Sequence, residues 1–165
     1  MASHPNRDKA NSLLKVLGIT QAPVNITKVA EYLGFMVIPY DFPDKRKGMV
    51  YIEGTVKVIG TNKSHPLYLQ NYTIAHEIGH FVNGHEHLDN DFIEDDTRFY
   101  NHHFQQEHEA DLFASEILMP KHFLEPHLAE FGLDIPRLLD LYQVSNKALN
   151  IRLNTLRLSE KYSVV

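Results

Sequence analysis

The run His76-Glu77-Ile78-Gly79-His80 restricts this chain more than any other feature, because its chemistry works only on a helix. Residues four apart lie one above the other on a helix face. Two imidazoles so placed can reach one metal ion, with Glu77 beside it to take a proton from water. The neighbouring residues predict that helix. Its periodicity runs from about Pro66 to Val82, Pro66 suits the first turn, and Gly84 marks the end. Thr73, Ala75 and Gly79 are small and leave room for another element to pack close to the ion. Eleven histidines in 165 residues raise the chance of such a pattern, so the surrounding helix is what lends it weight.

A catalytic zinc usually has three protein ligands and one open position. The segment Glu107-His108-Glu109-Ala110-Asp111-Leu112-Phe113-Ala114 is the best source of the third. At roughly 100° per residue, Ala110, Phe113, Ala114, Ile117 and Leu118 share one broad face that should pack on the core. Glu107 and Asp111 lie on the edge of that face, while His108, Glu109 and Glu116 point away from it. The spacing therefore favours Glu107 over Glu109 as ligand. Asp111, one turn on, is placed to accept a hydrogen bond from the far nitrogen of a metal-bound histidine, an arrangement that fixes the ring and raises its basicity.

The rest of the chain reads as one compact α+β unit, mainly helical with a small sheet. A first helix spans Asn6 to Leu17. Asn25 caps a second carrying Ile26, Val29 and Leu33, and Gly34 ends it. Strands are expected at Phe35–Tyr40, Met49–Ile52 and Thr55–Ile59, the last two joined through Glu53-Gly54, with a solvated basic turn at Lys45-Arg46-Lys47-Gly48. Residues 84–103 are polar and acidic and read as a long loop, with a short strand near Phe92-Ile93; His85 and His87 read there as loop histidines rather than a second metal site. Helices follow at Phe104–Leu118, at Lys121–Phe131 with a kink or split expected at Pro126, and at 136–142 and 146–158, the last capped by Ser145.

No cysteine is present, so neither a disulfide nor a thiolate metal site enters the reading. The formal charge of -5 argues against nucleic-acid binding as the main task. No apolar run is long enough to cross a bilayer, and the first residues lack a signal-peptide core, which leads to the expectation of a cytoplasmic protein with no membrane partner.

Two segments together carry a resemblance. Thr73-Ile74-Ala75-His76-Glu77-Ile78-Gly79-His80, followed by Glu107-His108-Glu109-Ala110-Asp111-Leu112-Phe113-Ala114 and ending in Leu118-Met119-Pro120, resembles the ImmA/IrrE metallopeptidases of bacteria and phage. The likeness extends over about residues 10–158, though only the two motifs are specific. Family members often carry Arg two residues before the Thr of the lead-in, where this chain has Asn71. The resemblance implies a zincin-like peptidase domain over residues 1–131 and a helix-turn-helix-like segment over 132–165. It implies one zinc ion on His76, His80 and Glu107, and it puts the family's Asn or Asp on Asp111. The natural substrate would be a specific regulatory protein, often a DNA-binding repressor.

In that chemistry Glu77 is the general base. Tyr72, Tyr100, His102 and His103 are candidate donors to the oxyanion. Zinc suits the ligand set, and manganese or iron can substitute. The segment 136–158 has the look of a helix-turn-helix, with Lys147, Arg152, Arg157 and Lys161 on its second helix, which could dock in a DNA groove or on a partner protein. A helical cap packed on the core through Leu149, Ile151, Leu153 and Leu156 is the preferred reading. Two rivals to a peptidase stand: a non-catalytic zinc-containing regulator, and an antitoxin-like module that binds a partner. Intact Glu77 favours the peptidase, since a structural zinc site is closed and needs no base.

Overall fold

The computed structural model describes residues 5–42, 47–85 and 97–162, without the side chains of 97–103. Helix α1 (Pro5–Val16) and the short α2 (Ile26–Tyr32) lead into strands β1 (Met36–Tyr40), β2 (Gly48–Glu53) and β3 (Val56–Asn62). Helices α3 (Leu67–Asn83), α4 (Thr97–Leu118), α5 (Lys121–Phe131), α6 (Ile135–Tyr142), α7 (Asn146–Thr155) and α8 (Leu158–Tyr162) complete the chain. The architecture is α+β, mainly helical with a three-stranded sheet.

The strand order is β1-β3-β2. β2 and β3 form a hairpin closed at Glu53 and Val56, with Gly54 left-handed at φ 57° in its turn. β1 pairs parallel to β3, from Met36 opposite Val58 to Tyr40 opposite Asn62. Pro39, which has no N–H to give, is tolerated because β1 is an edge strand. β3 runs to Asn62, beyond the expected end at Ile59, because both of its neighbours supply partners there. Val37, Val50 and Ile59 turn toward the core, while Met36, Ile38, Tyr40, Met49 and Tyr51 remain exposed on the other face.

The caps are local. The Asn25 side chain accepts from the Lys28 amide, Asp134 from Arg137 and Ser145 from Ala148. α4 starts at Thr97, so residues 97–103 are helical and not loop. They contain neither glycine nor proline, and polarity alone does not stop a helix. α5 runs through Pro126 as one helix. The expected helix 146–158 divides instead, because Arg157 takes a left-handed φ of 56° and turns Leu158 back onto the core. The expectations at Lys45-Arg46, His87 and Phe92-Ile93 fall outside the described residues.

One apolar cluster joins the elements. It includes Ala10 and Leu14 from α1, Ile74 and Ile78 from α3, and Phe113 and Ile117 from α4. Leu138, Tyr142, Leu149, Leu153 and Leu158 from the last helices belong to it as well. Ile151 does not, being 54% exposed, which corrects its expected place in the packing face. Glu116, expected to point outward, is buried. It accepts from Arg152 Nη2 at 2.6 Å and lies 3.4 Å from Arg7 Nη2, while Arg152 Nε donates to the Met119 carbonyl at 3.0 Å. Arg152 is therefore removed from any basic surface of α7. Among the described residues no helix is long and apolar enough to cross a membrane.

Candidate metal centre

The site begins with a close helix contact. α3 and α4 pack against each other where α3 carries glycine: a Cβ on Gly79 would lie 2.9 Å from Ala110 Cα. Without that side chain the backbones approach, and Glu107, one turn before Ala110, reaches the histidine face of α3. Glu107 Oε2 lies 3.2 Å from His76 Nε2, and its Oε1 lies 3.1 Å from His80 Nε2. The two Nε2 atoms are 3.0 Å apart.

These three residues form the metal-capable group found among the described residues. A tetrahedral ion with ligand bonds of about 2.0–2.2 Å separates its ligand atoms by roughly 3.3–3.6 Å. The observed spacings of 3.0–3.2 Å are slightly shorter than that range, so a small outward shift of the three side chains admits the ion. With both Nε2 atoms deprotonated, the two rings and the carboxylate turn their lone pairs on one point, which is the donor set of a divalent cation. The residues therefore fit a divalent metal.

The electrostatics follow from the same contacts. Burial works against a charged His76 ring, but hydrogen bonds with Asp111 and Glu107 and the charges of Glu77 and Glu107 outweigh it and lift its pKa to about 9. Hydrogen bonds from the two histidines hold the Glu107 carboxyl far below the usual carboxylate range. Glu77 is pushed up by burial, while the neighbouring imidazoles pull it the other way. It thus lies within the field of all three candidate ligands.

Each histidine is held at its far nitrogen. His76 Nδ1 is 2.9 Å from Asp111 Oδ1, which also accepts from the Tyr72 hydroxyl at 2.9 Å. Burial and then Asp111 raise the Tyr72 pKa, so this phenol keeps its proton and directs it to Asp111. His80 Nδ1 meets His85 Nδ1 at 2.9 Å, and His85 Nε2 meets Glu109 Oε2 at 3.0 Å. His85 was expected in a loop; it is instead buried against the site. The signal for it was present in Gly84. A left-handed glycine after a helix commonly folds the next residue back over the last turn. Here the Gly84 amide bonds to the Phe81 carbonyl and the His85 amide to the His80 carbonyl. Tyr100, His102 and His103 lie on α4 before Glu107, with their side chains outside the described residues.

A separate hollow of about 440 Å³ lies at the other end of α3, lined by Leu67, Tyr68, Leu139, Gln143, Val144 and Ser145 among others. It touches none of the residues of the metal group.

Known proteins resemble the chain in family and in fold. No curated protein matches the chain. A solved Mycobacterium tuberculosis transcriptional regulator matches with a TM-score of 0.71 and 15% identity, over 92% of this chain and 47% of that one. The likeness is one of fold, and the chain spans about half the length of that structure. The family model of the IrrE N-terminal-like domain matches residues 30–154. That span takes in both helices of the His-His-Glu group, and the chain belongs to this metallopeptidase-like family.

Proposed function

We propose that this protein is a zinc-dependent endopeptidase, acting in the cytoplasm, that cleaves a specific regulatory protein such as a DNA-binding repressor. The observation that carries this reading is the convergence of His76, His80 and Glu107 within about 3 Å of one another, with Glu77 in the same field. The family supports a protein substrate, and the solved structure's printed name, transcriptional regulator, supports a regulatory setting.

His76, His80 and Glu107 would hold the ion. Zinc, when bound, supplies a Lewis acid that polarises the scissile carbonyl and acidifies the attacking water. Glu77 takes that water's proton and hands it to the departing amine nitrogen. Its burial-raised carboxyl suits both halves of the exchange. Asp111 orients the His76 ring. Tyr72 already directs its hydroxyl to Asp111, which leaves Tyr100, His102 and His103 as the candidates to donate to the oxyanion. Residues 1–131 would carry the catalytic domain, and 132–165 would cap it.

The test compares protein breakdown in cells carrying the normal chain and Glu77→Gln. The normal chain should lose one regulatory protein that persists with the variant, and both purified proteins should retain zinc. Equal turnover by the two would remove Glu77 from its role. Stable complexes without cleavage would point to a partner-binding regulator instead.

A further inference from the structure

We infer that His85 is a positioning residue, which fixes His80 in the tautomer that turns Nε2 toward Glu107 and is itself fixed by Glu109. The inference rests on the metal reading above and adds residues that reading does not use.

The argument is one of donors and acceptors. A neutral histidine has one N–H and one lone pair, and the hydrogen bond at one nitrogen decides what the other can do. His80 Nε2 faces the His76–Glu107 group, and with a metal bound there it would give up its lone pair to the ion, so its proton would belong on Nδ1. The partner of Nδ1 is His85 Nδ1 at 2.9 Å, which must then accept. That places the His85 proton on Nε2, where Glu109 Oε2 accepts it at 3.0 Å. The other Glu109 oxygen accepts from Gln105 Nε2 at 3.0 Å. Every link has one donor and one acceptor, and the chain of contacts ends on a carboxylate.

The backbone holds this relay in place. The turn at Gly84 bonds the His85 amide to the His80 carbonyl at 3.0 Å. In such helix ends a hydrophobic contact frequently joins the two residues that share this bond. Here that pair is His85 and His80, with ring centroids 5.1 Å apart. The His85 side chain is 6% exposed, so water cannot readily replace it as the acceptor. His76 is braced by Asp111 directly and His80 by a neutral ring backed by Glu109, so both candidate ligands are oriented from outside.

The experiment measures zinc affinity by chelator competition for the full chain and for His85→Phe, His85→Asn and Glu109→Ala. Partners of this kind are worth about 10- to 100-fold in metal affinity. His85→Phe should lose affinity within that range. His85→Asn, whose Oδ1 can stand in for Nδ1 as acceptor, should recover much of it. Glu109→Ala should show a smaller loss, and it decides the matter if the phenylalanine variant fails to fold. Long-range proton–nitrogen spectra of the zinc-bound chain should find the His85 proton on Nε2. A His85 proton on Nδ1, or unchanged affinity in the folded variants, would overturn the inference while leaving the metal reading intact. A normal chain that takes up no zinc would remove both.

Discussion

Gly79 meets Ala110 at backbone distance: a Cβ added to the glycine would stand 2.8 Å from the Ala110 carbonyl oxygen. Two effects oppose each other in Gly79→Ala. Alanine improves helix propensity by about 1 kcal/mol, whereas overpacking costs about 1–3 kcal/mol. Because the obstacle is main chain and not a flexible side chain, overpacking should win. Urea unfolding should show net destabilisation. Zinc affinity should also fall roughly tenfold, comparable with losing an outer partner of a metal ligand, because α4 carries Glu107 away from the histidines.

Glu107→Ala leaves two imidazoles on one helix without the opposing carboxylate. Zinc affinity should drop by more than the roughly 100-fold upper range for outer partners. Metal content after dialysis reads this directly. Retention equal to that of the normal chain would mean that a different side chain supplies the third contact.

The Glu116–Arg152 pair is buried on both sides. Removing one partner of such a pair costs about 3–5 kcal/mol, since the other charge is stranded. Arg152→Met should show a loss near the lower end, because Arg7 still lies 3.4 Å from the carboxylate. Replacing both residues, as Arg152→Met with Glu116→Leu, should recover most of it.

The same pair sets an acid limb. Burial pushes the Glu116 carboxyl up, but the hydrogen bond and charge of Arg152, with help from Arg7, leave it below its usual value. A carboxyl depressed on folding adds stability above its unfolded pKa of about 4.3. That stability is lost as pH falls through the folded value. The urea midpoint should decline as pH drops below about 5, and Glu116→Gln should flatten that decline.

Leu149 is fully buried in the cluster that also holds Ile78 and Phe113. Leu149→Ala should cost about 2–5 kcal/mol and shift one cooperative transition. An early separate transition would instead mean that residues 132–165 unfold on their own.

The parts legible in the sequence were those governed by neighbours along the chain. Asn25 and Ser145 act on amides three residues away, and Gly84 ends α3 where its freedom of φ implies. The His76–His80 spacing and the edge position of Glu107 are likewise helix geometry. What escaped depends on distant partners. Glu116 reads as an outward glutamate because Arg152 lies 36 residues further on. The parallel pairing of β1 with β3 passes over β2, which no local pattern reports. The first turns of α4 are hidden by polar composition, and the place of His85 by its lying past a helix stop, where its partner Glu109 is 24 residues further on.

The burial of Arg152 has a consequence for how this molecule meets others. A guanidinium neutralised inside the protein contributes almost nothing to the field felt at a distance. Lys161, further along, faces Glu125 at 3.5 Å. Lys147, Arg157 and Lys161 remain exposed at this end, on a chain whose formal charge is -5. A polyanion approaching that end is steered weakly against the net negative charge of the chain, so added salt should not slow its association.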